Sequence, residues 1–168
     1  MSRHPKLLII GHGRHGKDTM AELLEYMYGM TFRSSSMAAS EIFIYEKIKE
    51  KYDYVDAAAC FQDRCNHRVE WYNMICEYNK YDRAKLAKDI LKDSDCYVGM
   101  RDLSEIDECM KQKVFDLIVW VDASERLPEE CSNSFNVPKS RADVVIYNNG
   151  TFAEFTDKVQ AFGKLIFN

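Results

Sequence analysis

Long apolar runs are missing from this sequence. None approaches the roughly 20 residues that cross a bilayer, so no membrane span and no membrane partner is expected. No basic-then-apolar leader precedes the first strand candidate, and a cytoplasmic location is the resulting expectation. Basic charge is not in excess. Lys and Arg number 23 against 27 Asp and Glu, a formal charge of −4. That balance speaks against a protein that coats nucleic acid nonspecifically, and leaves room for a local basic groove. The cysteines, Cys60, Cys65, Cys76, Cys96, Cys109 and Cys131, contain no C-x-x-C pair, and the histidines add no ligand spacing. A zinc site is therefore not expected, and reduced, mostly buried thiols are. Internal repeats and low-complexity stretches are also absent.

What is present is an ordinary globular composition, 46% hydrophobic and 30% charged over 168 residues, enough for one domain with a real core. The chain is organised around residues 6–19, Lys-Leu-Leu-Ile-Ile-Gly-His-Gly-Arg-His-Gly-Lys-Asp-Thr. The apolar run over 7–10 reads as a buried strand. A glycine-rich loop follows, and Lys17, Asp18 and Thr19 open a stretch of helical periodicity. Strand, glycine loop, Lys and helix in register are the arrangement of a phosphate-binding P-loop. Small residues let backbone N–H groups of Gly11, His12, Gly13, Arg14, His15 and Gly16 turn toward an anion. The helix start favours negative charge, and Lys17 reaches the phosphates as a point charge. The position after the Lys normally holds a hydroxyl that ligates magnesium. Here it holds Asp18, so either Asp18 or Thr19 is the metal contact. Arg14 and His15 either touch phosphate or point to solvent.

Further along, residues 18–28 form a one-faced helix stopped by Gly29, and residues 30–33 a short strand. Ser34, Ser35 and Ser36 are candidates to cap a helix over about 37–50. Residues 56–78 read as one helix, with Ala58, Phe61, Cys65, Val69, Tyr72, Ile75 and Cys76 on a shared buried side. A second stripe of that helix carries Arg64, His67, Arg68 and Trp71 as surface neighbours. A helix over about 82–92 follows, then a strand over 96–100 ending at Arg101 and Asp102. A helix over about 103–112, an apolar strand over 115–121 ending at Asp122, a loop over 123–140, a strand over 144–147 and a closing helix over 151–163 complete the chain. Alternating strands and helices imply a parallel α/β sheet. Ligands then bind at the carboxyl ends of the strands. The loop 11–17, Arg33, Arg101 with Asp102, and Asp122 to Arg126 all fall there.

The Gly-Lys-Asp-Thr loop resembles that of phage deoxynucleoside monophosphate kinases, and the stretch Gly-Met-Arg-Asp-Leu-Ser-Glu (99–105) is similar to their Arg…Glu segment. The ending Ala-Asp-Val-Val-Ile-Tyr-Asn-Asn-Gly-Thr-Phe-Ala-Glu-Phe (142–155) resembles the last strand, turn and helix of those enzymes and of dephospho-coenzyme A kinases. The phage kinases that phosphorylate 5-hydroxymethyluracil within DNA are a related family and look like compact members of the same superfamily. The likeness covers about the first thirty and last seventy residues; the middle, including residues 63–82, fits no common metabolic kinase pattern. It implies a three-layer P-loop NTPase fold, a five-stranded parallel sheet in the order 2-3-1-4-5 with helices on both faces. It also implies ATP and Mg²⁺, a helical acceptor-binding insert at about 37–92 and a short lid at about 123–140, within a single domain. In a host cell infected by a phage, the location remains cytoplasmic.

On this reading Lys17 is the phosphate ligand, and Arg101 either grips the acceptor or pairs with Asp102 or Glu105. Asp102 and Asp122 either approach magnesium through water or cap turns. Arg33, Arg64, His67 and Arg68 would contact an acceptor anion, and Trp71 or Tyr72 would stack on a base. The plain alternative is an exposed helix face with a partly buried Trp71. Asp63 is the candidate proton acceptor, and Arg126 in the lid the stabiliser of transferred charge. The favoured function is transfer of the γ-phosphate to the hydroxymethyl group of a modified pyrimidine in DNA, because the lid is short, acidic and poor in Arg. A deoxynucleoside monophosphate kinase, a kinase of a non-nucleotide metabolite and a nucleotide-binding protein without transfer activity are the alternatives. A homodimer is compatible with any of them.

Overall fold

A computed structural model describes residues 4–130 and 135–167. Five strands, β1 (Leu7–Ile10), β2 (Phe32–Ser34), β3 (Cys96–Val98), β4 (Leu117–Asp122) and β5 (Val144–Tyr147), form one sheet in the order β2-β3-β1-β4-β5. Every pairing is parallel. The expected strand order and α/β class therefore hold. β1 is central, with Leu7 beside both Cys96 and Leu117, and all four of its residues are fully buried. Its unbroken apolar run is what a strand covered on both faces requires.

The pleat divides the core. Leu7, Ile9, Cys96, Val98, Val119 and Val121 point to one face and pack on α1 (Lys17–Tyr28) and on α8 (Phe152–Ile166) through Leu24, Phe155 and Val159. Leu8, Ile10, Tyr97, Ile118 and Trp120 point to the other. There they meet the helices inserted between β2 and β3, namely α2 (Ser35–Ala39), α3 (Tyr45–Tyr52), α4 (Ala57–Gln62), α5 (Arg68–Tyr78) and α6 (Lys85–Ile90), together with α7 (Leu103–Lys111). Local signals set most boundaries. Ser34 Oγ accepts the Met37 N–H at 3.2 Å as an N-cap, and Gly29 ends α1 with φ of 70°.

Several expectations need correction. The helix expected over 37–50 begins at Ser35 and runs to Tyr52, with a π-helical segment at Ser40–Ile44 joining α2 to α3. The single helix expected over 56–78 is broken between α4 and α5 by a 3₁₀ turn, Asp63–Asn66. The Asp63 carboxylate accepts from Tyr54 Oη and Asn66 Nδ2, each at 2.6 Å, and pairs with His67 Nε2 at 2.9 Å. These short-range bonds compete with the helical ladder. The break resets the helical phase. Trp71, expected on the outer stripe or partly buried, belongs to the core, while Val69 and Tyr72, expected inside, are 75% and 63% exposed. Cys60, Cys96 and Cys109 are buried free thiols, but Cys65 and Cys76 are exposed; Cys131 lies outside the described residues. The stretch expected as a loop over 123–140 ends in a 3₁₀ segment, Lys139–Arg141, and its residues 131–134 lie outside the described residues.

Candidate functional site

The loop of residues 11–17 leaves the carboxyl end of the central strand and enters α1 directly. Gly16 precedes the helix with φ of 106°, and a Cβ there would collide with Asn148 Nδ2. Only glycine meets both demands at no cost. Among the described residues, the backbone N–H groups of Lys17, Asp18 and Thr19 find no acceptor, as a helix start dictates. Lys17 is 9% exposed, and its Nζ donates to the His12 carbonyl at 2.9 Å. Burial lowers the Lys17 pKa, and the neighbouring Arg101 guanidinium lowers it further. The ammonium thus sits in a poorly solvated place where an added anion gains more than it would in water.

His15 does not face an anion. It is fully buried, its Nδ1 accepts the Ala123 N–H at 3.0 Å, and its Nε2 donates to the Pro128 carbonyl at 3.1 Å. That partnership assigns the proton to Nε2. The side chain clamps the loop to the segment after β4. Asn148, at the end of β5, ties the loop from the other side, donating from Nδ2 to the His15 carbonyl at 3.0 Å. The Asn148 carbonyl in turn accepts Arg126 Nε at 2.7 Å. Arg14 is exposed, with φ of 66°.

His12 Nδ1 accepts the Glu130 N–H at 3.0 Å, and its ring packs on Phe135 and Trp120. Burial lowers the His12 pKa. The Glu130 carboxylate pairs with Arg101 and rests against Gly13. Burial works to raise the Glu130 pKa, but Arg101, the Gly13 N–H and Lys17 hold it below the ordinary value. Lys17, Arg101 and the loop backbone therefore converge on one place.

The other candidates take different places. Asp102 is the N-cap of α7, accepting the Ser104 N–H and hydroxyl, each at 2.8 Å. Asp122 is 1% exposed, pairs with Lys139 and accepts the Ser124 N–H at 2.8 Å. Arg33 pairs with Glu41. Asp18 is exposed and Thr19 half-buried at the helix start. Among the described residues no group of three or more His, Cys, Asp or Glu side chains could hold a metal ion. The stripe expected from Arg64 to Trp71 is not one surface. Arg64 donates to the Phe61 carbonyl at 2.9 Å, His67 pairs with Asp63, Arg68 reaches toward Cys65, and Trp71 belongs to the core. Residues that sequence reasoning passed over are Glu130, read only as one of several acidic lid residues, and Asn148, read only as part of a turn.

No protein-family model matches the sequence, and no curated protein does. Solved structures do. The fold is shared with a solved kinase. Shikimate kinase from Aquifex aeolicus vf5 superposes with a TM-score of 0.51 at 14% identity, over 95% of this chain and 96% of that one. An unliganded sugar kinase from Janibacter sp. HTCC2649 matches with a TM-score of 0.47 at 11% identity, over 98% and 96% of the two chains. At 14% identity the likeness to shikimate kinase speaks for the fold alone, and the chemistry has to be argued from the loop itself.

Proposed function

We propose that this protein is an ATP-dependent phosphotransferase that passes the γ-phosphate to a nucleotide-type acceptor. The leading candidate is the hydroxymethyl group of 5-hydroxymethyluracil in DNA. The observation that carries the reading is the loop of residues 11–17, with buried Lys17 at the head of α1 and Arg101 beside it. The residues fit a polyphosphate: free N–H groups at a helix start, a poorly solvated ammonium, and a seat already shaped around a carboxylate. ATP would be held by Gly11 to Thr19, and Mg²⁺ by Asp18 or Thr19 together with the phosphates. Bound ATP supplies the transferable phosphoryl group, and Mg²⁺ neutralises charge on it. Lys17 and Arg101 hold the phosphates against repulsion and orient them, which is most of what a protein contributes to phosphoryl transfer.

A hydroxyl acceptor is favoured because the lid cations are engaged. Arg126 bonds to Asn148, Lys139 pairs with Asp122, and Arg141 pairs with Asp107 at 3.1 Å. None is poised to clamp a second charged nucleotide. The nucleotide character of the acceptor rests on the resemblance at residues 99–105. The deoxynucleoside monophosphate reading has the formal charge of −4 in its favour, since DNA gains no general attraction from such a surface. The deciding experiment offers γ-labelled ATP and Mg²⁺ with DNA containing 5-hydroxymethyluracil, ordinary DNA and the four deoxynucleoside monophosphates. Label in the modified DNA alone establishes the leading reading, and label in a monophosphate replaces it with the second. Transfer must disappear in Lys17→Ala; undiminished transfer in that variant refutes the loop assignment.

A further inference from the structure

Glu130 follows β4 by eight positions in sequence, yet its carboxylate lies over the loop that follows β1. Three contacts place it there. Its backbone N–H donates to His12 Nδ1 at 3.0 Å, which anchors the segment. One carboxylate oxygen lies where a side chain on Gly13 would project, so position 13 is open to the carboxylate because it is glycine. The other oxygen pairs with Arg101. The carboxylate thus meets the loop backbone, and Lys17 and Arg101 flank it, as an anionic phosphate oxygen in this loop would be met and flanked. Its ionised form is favoured by these same groups.

We propose that Glu130 is an internal substitute for the terminal phosphate of the donor nucleotide. Seated, it closes the loop and occupies Arg101. Displaced by a triphosphate, it hands Arg101 to the phosphoryl group that is to be transferred. The inference rests on the phosphate-binding reading of the loop and goes beyond it, because it gives the donor's terminal phosphate a competitor within the chain itself. The physical basis is exclusion: the Arg101 guanidinium in contact with one carboxylate cannot meet a terminal phosphate in the same place, so seating and triphosphate binding compete. A diphosphate lacks the terminal group and leaves Glu130 in place. Glu130 would therefore lower affinity for ATP selectively. If the open loop is populated at roughly 10–20%, apparent affinity falls about 5- to 10-fold below its intrinsic value.

The test is calorimetric titration of MgATP, as a non-hydrolysable analogue, and of MgADP into wild type, Glu130→Gln, Arg101→Gln and Lys17→Ala. Glu130→Gln keeps the shape and loses the charge. It is expected to bind the triphosphate about 5- to 10-fold more tightly, with MgADP changed less than about 2-fold. Arg101→Gln is expected to weaken triphosphate binding while sparing the diphosphate, a split that general loosening of the segment does not produce. Unchanged or weaker triphosphate binding by Glu130→Gln, or equal tightening for MgADP, overturns the inference alone, provided wild type binds and Lys17→Ala does not. Absence of nucleotide binding in both wild type and Glu130→Gln, or full binding by Lys17→Ala, overturns the loop reading and the inference with it.

Discussion

Replacing Glu105 by Gln should stabilise the protein, increasingly as pH rises from 4.5 to about 7. Glu105 stands in the first turn of α7 and faces Asn79 at the end of α5, whose Nδ2 lies 3.5 Å from Oε1. Burial raises its pKa from the ordinary 4.5 to about 7, the Asp102 charge pushes the same way, and Asn79 and Arg83 oppose them weakly. Position near a helix N-terminus favours the charged form by only about 0.3–1 kcal/mol, which burial outweighs. The sign follows from linkage. Between pH 4.5 and about 7 the folded chain holds a proton that the unfolded chain has released, so stability falls as pH rises through that window. At 1.36 kcal/mol per tenfold change in proton affinity, the gap corresponds to about 3 kcal/mol at most. Gln has the same shape, keeps an acceptor for Asn79 and has no charge to desolvate. Urea unfolding followed by circular dichroism at pH 5, 6, 7 and 8 should give matching stabilities near pH 5. By pH 8 the variant should lead by about 1–3 kcal/mol, equivalent to several degrees in Tm for a domain of this size. A difference independent of pH, or a variant less stable at pH 8, would refute the argument that burial of a charge governs this site.

Asn148→Ala removes the tie from β5 to the loop and leaves the His15 carbonyl without that partner. Denaturant unfolding should show a loss of about 1–3 kcal/mol, and nucleotide affinity should fall with it. Trp71→Ala empties a core position that is 4% exposed and should cost about 3–5 kcal/mol, whereas a surface acceptor groove would show almost no stability change. Acid titration should reveal two carboxylates working in the opposite sense to Glu105. Burial tends to raise Asp122 and Asp95, but Lys139 with Ser124 in one case, and Thr31 with His4 and Lys6 in the other, hold each down to about 2. Their contribution, on the order of 2 kcal/mol each, is present at neutral pH and lost as pH falls from about 4 toward 2. Asp122→Asn should flatten that part of the profile by about half.

The elements legible in advance were those whose signals are local. β1, the loop and α1 occupy one continuous stretch, and the strand's burial, the helix start and the Gly29 stop each depend on neighbours within a few positions. β5 and the closing helix were equally plain, the latter held by a capping box at Thr151 and Glu154. The insert was not, because Asp63 diverts the chain through bonds to Tyr54, Asn66 and His67 that outweigh an apolar pattern otherwise compatible with one helix.

By itself the sequence determined the period of each element, the alternation that makes the sheet parallel, and the chemistry available at the head of α1. Periodicity states which residues share a face; it does not state which face turns inward once a helix has been interrupted, and so Trp71 and Val69 exchanged places. Nor does it state which distant groups meet. His15 finds Ala123 and Pro128, and Gly13 finds Glu130, across more than a hundred positions of chain. Only the closing of β4 against β1 brings those segments together. The partners of a polar group in a loop are set by that packing, because every buried donor and acceptor must be satisfied by whatever the tertiary structure places beside it.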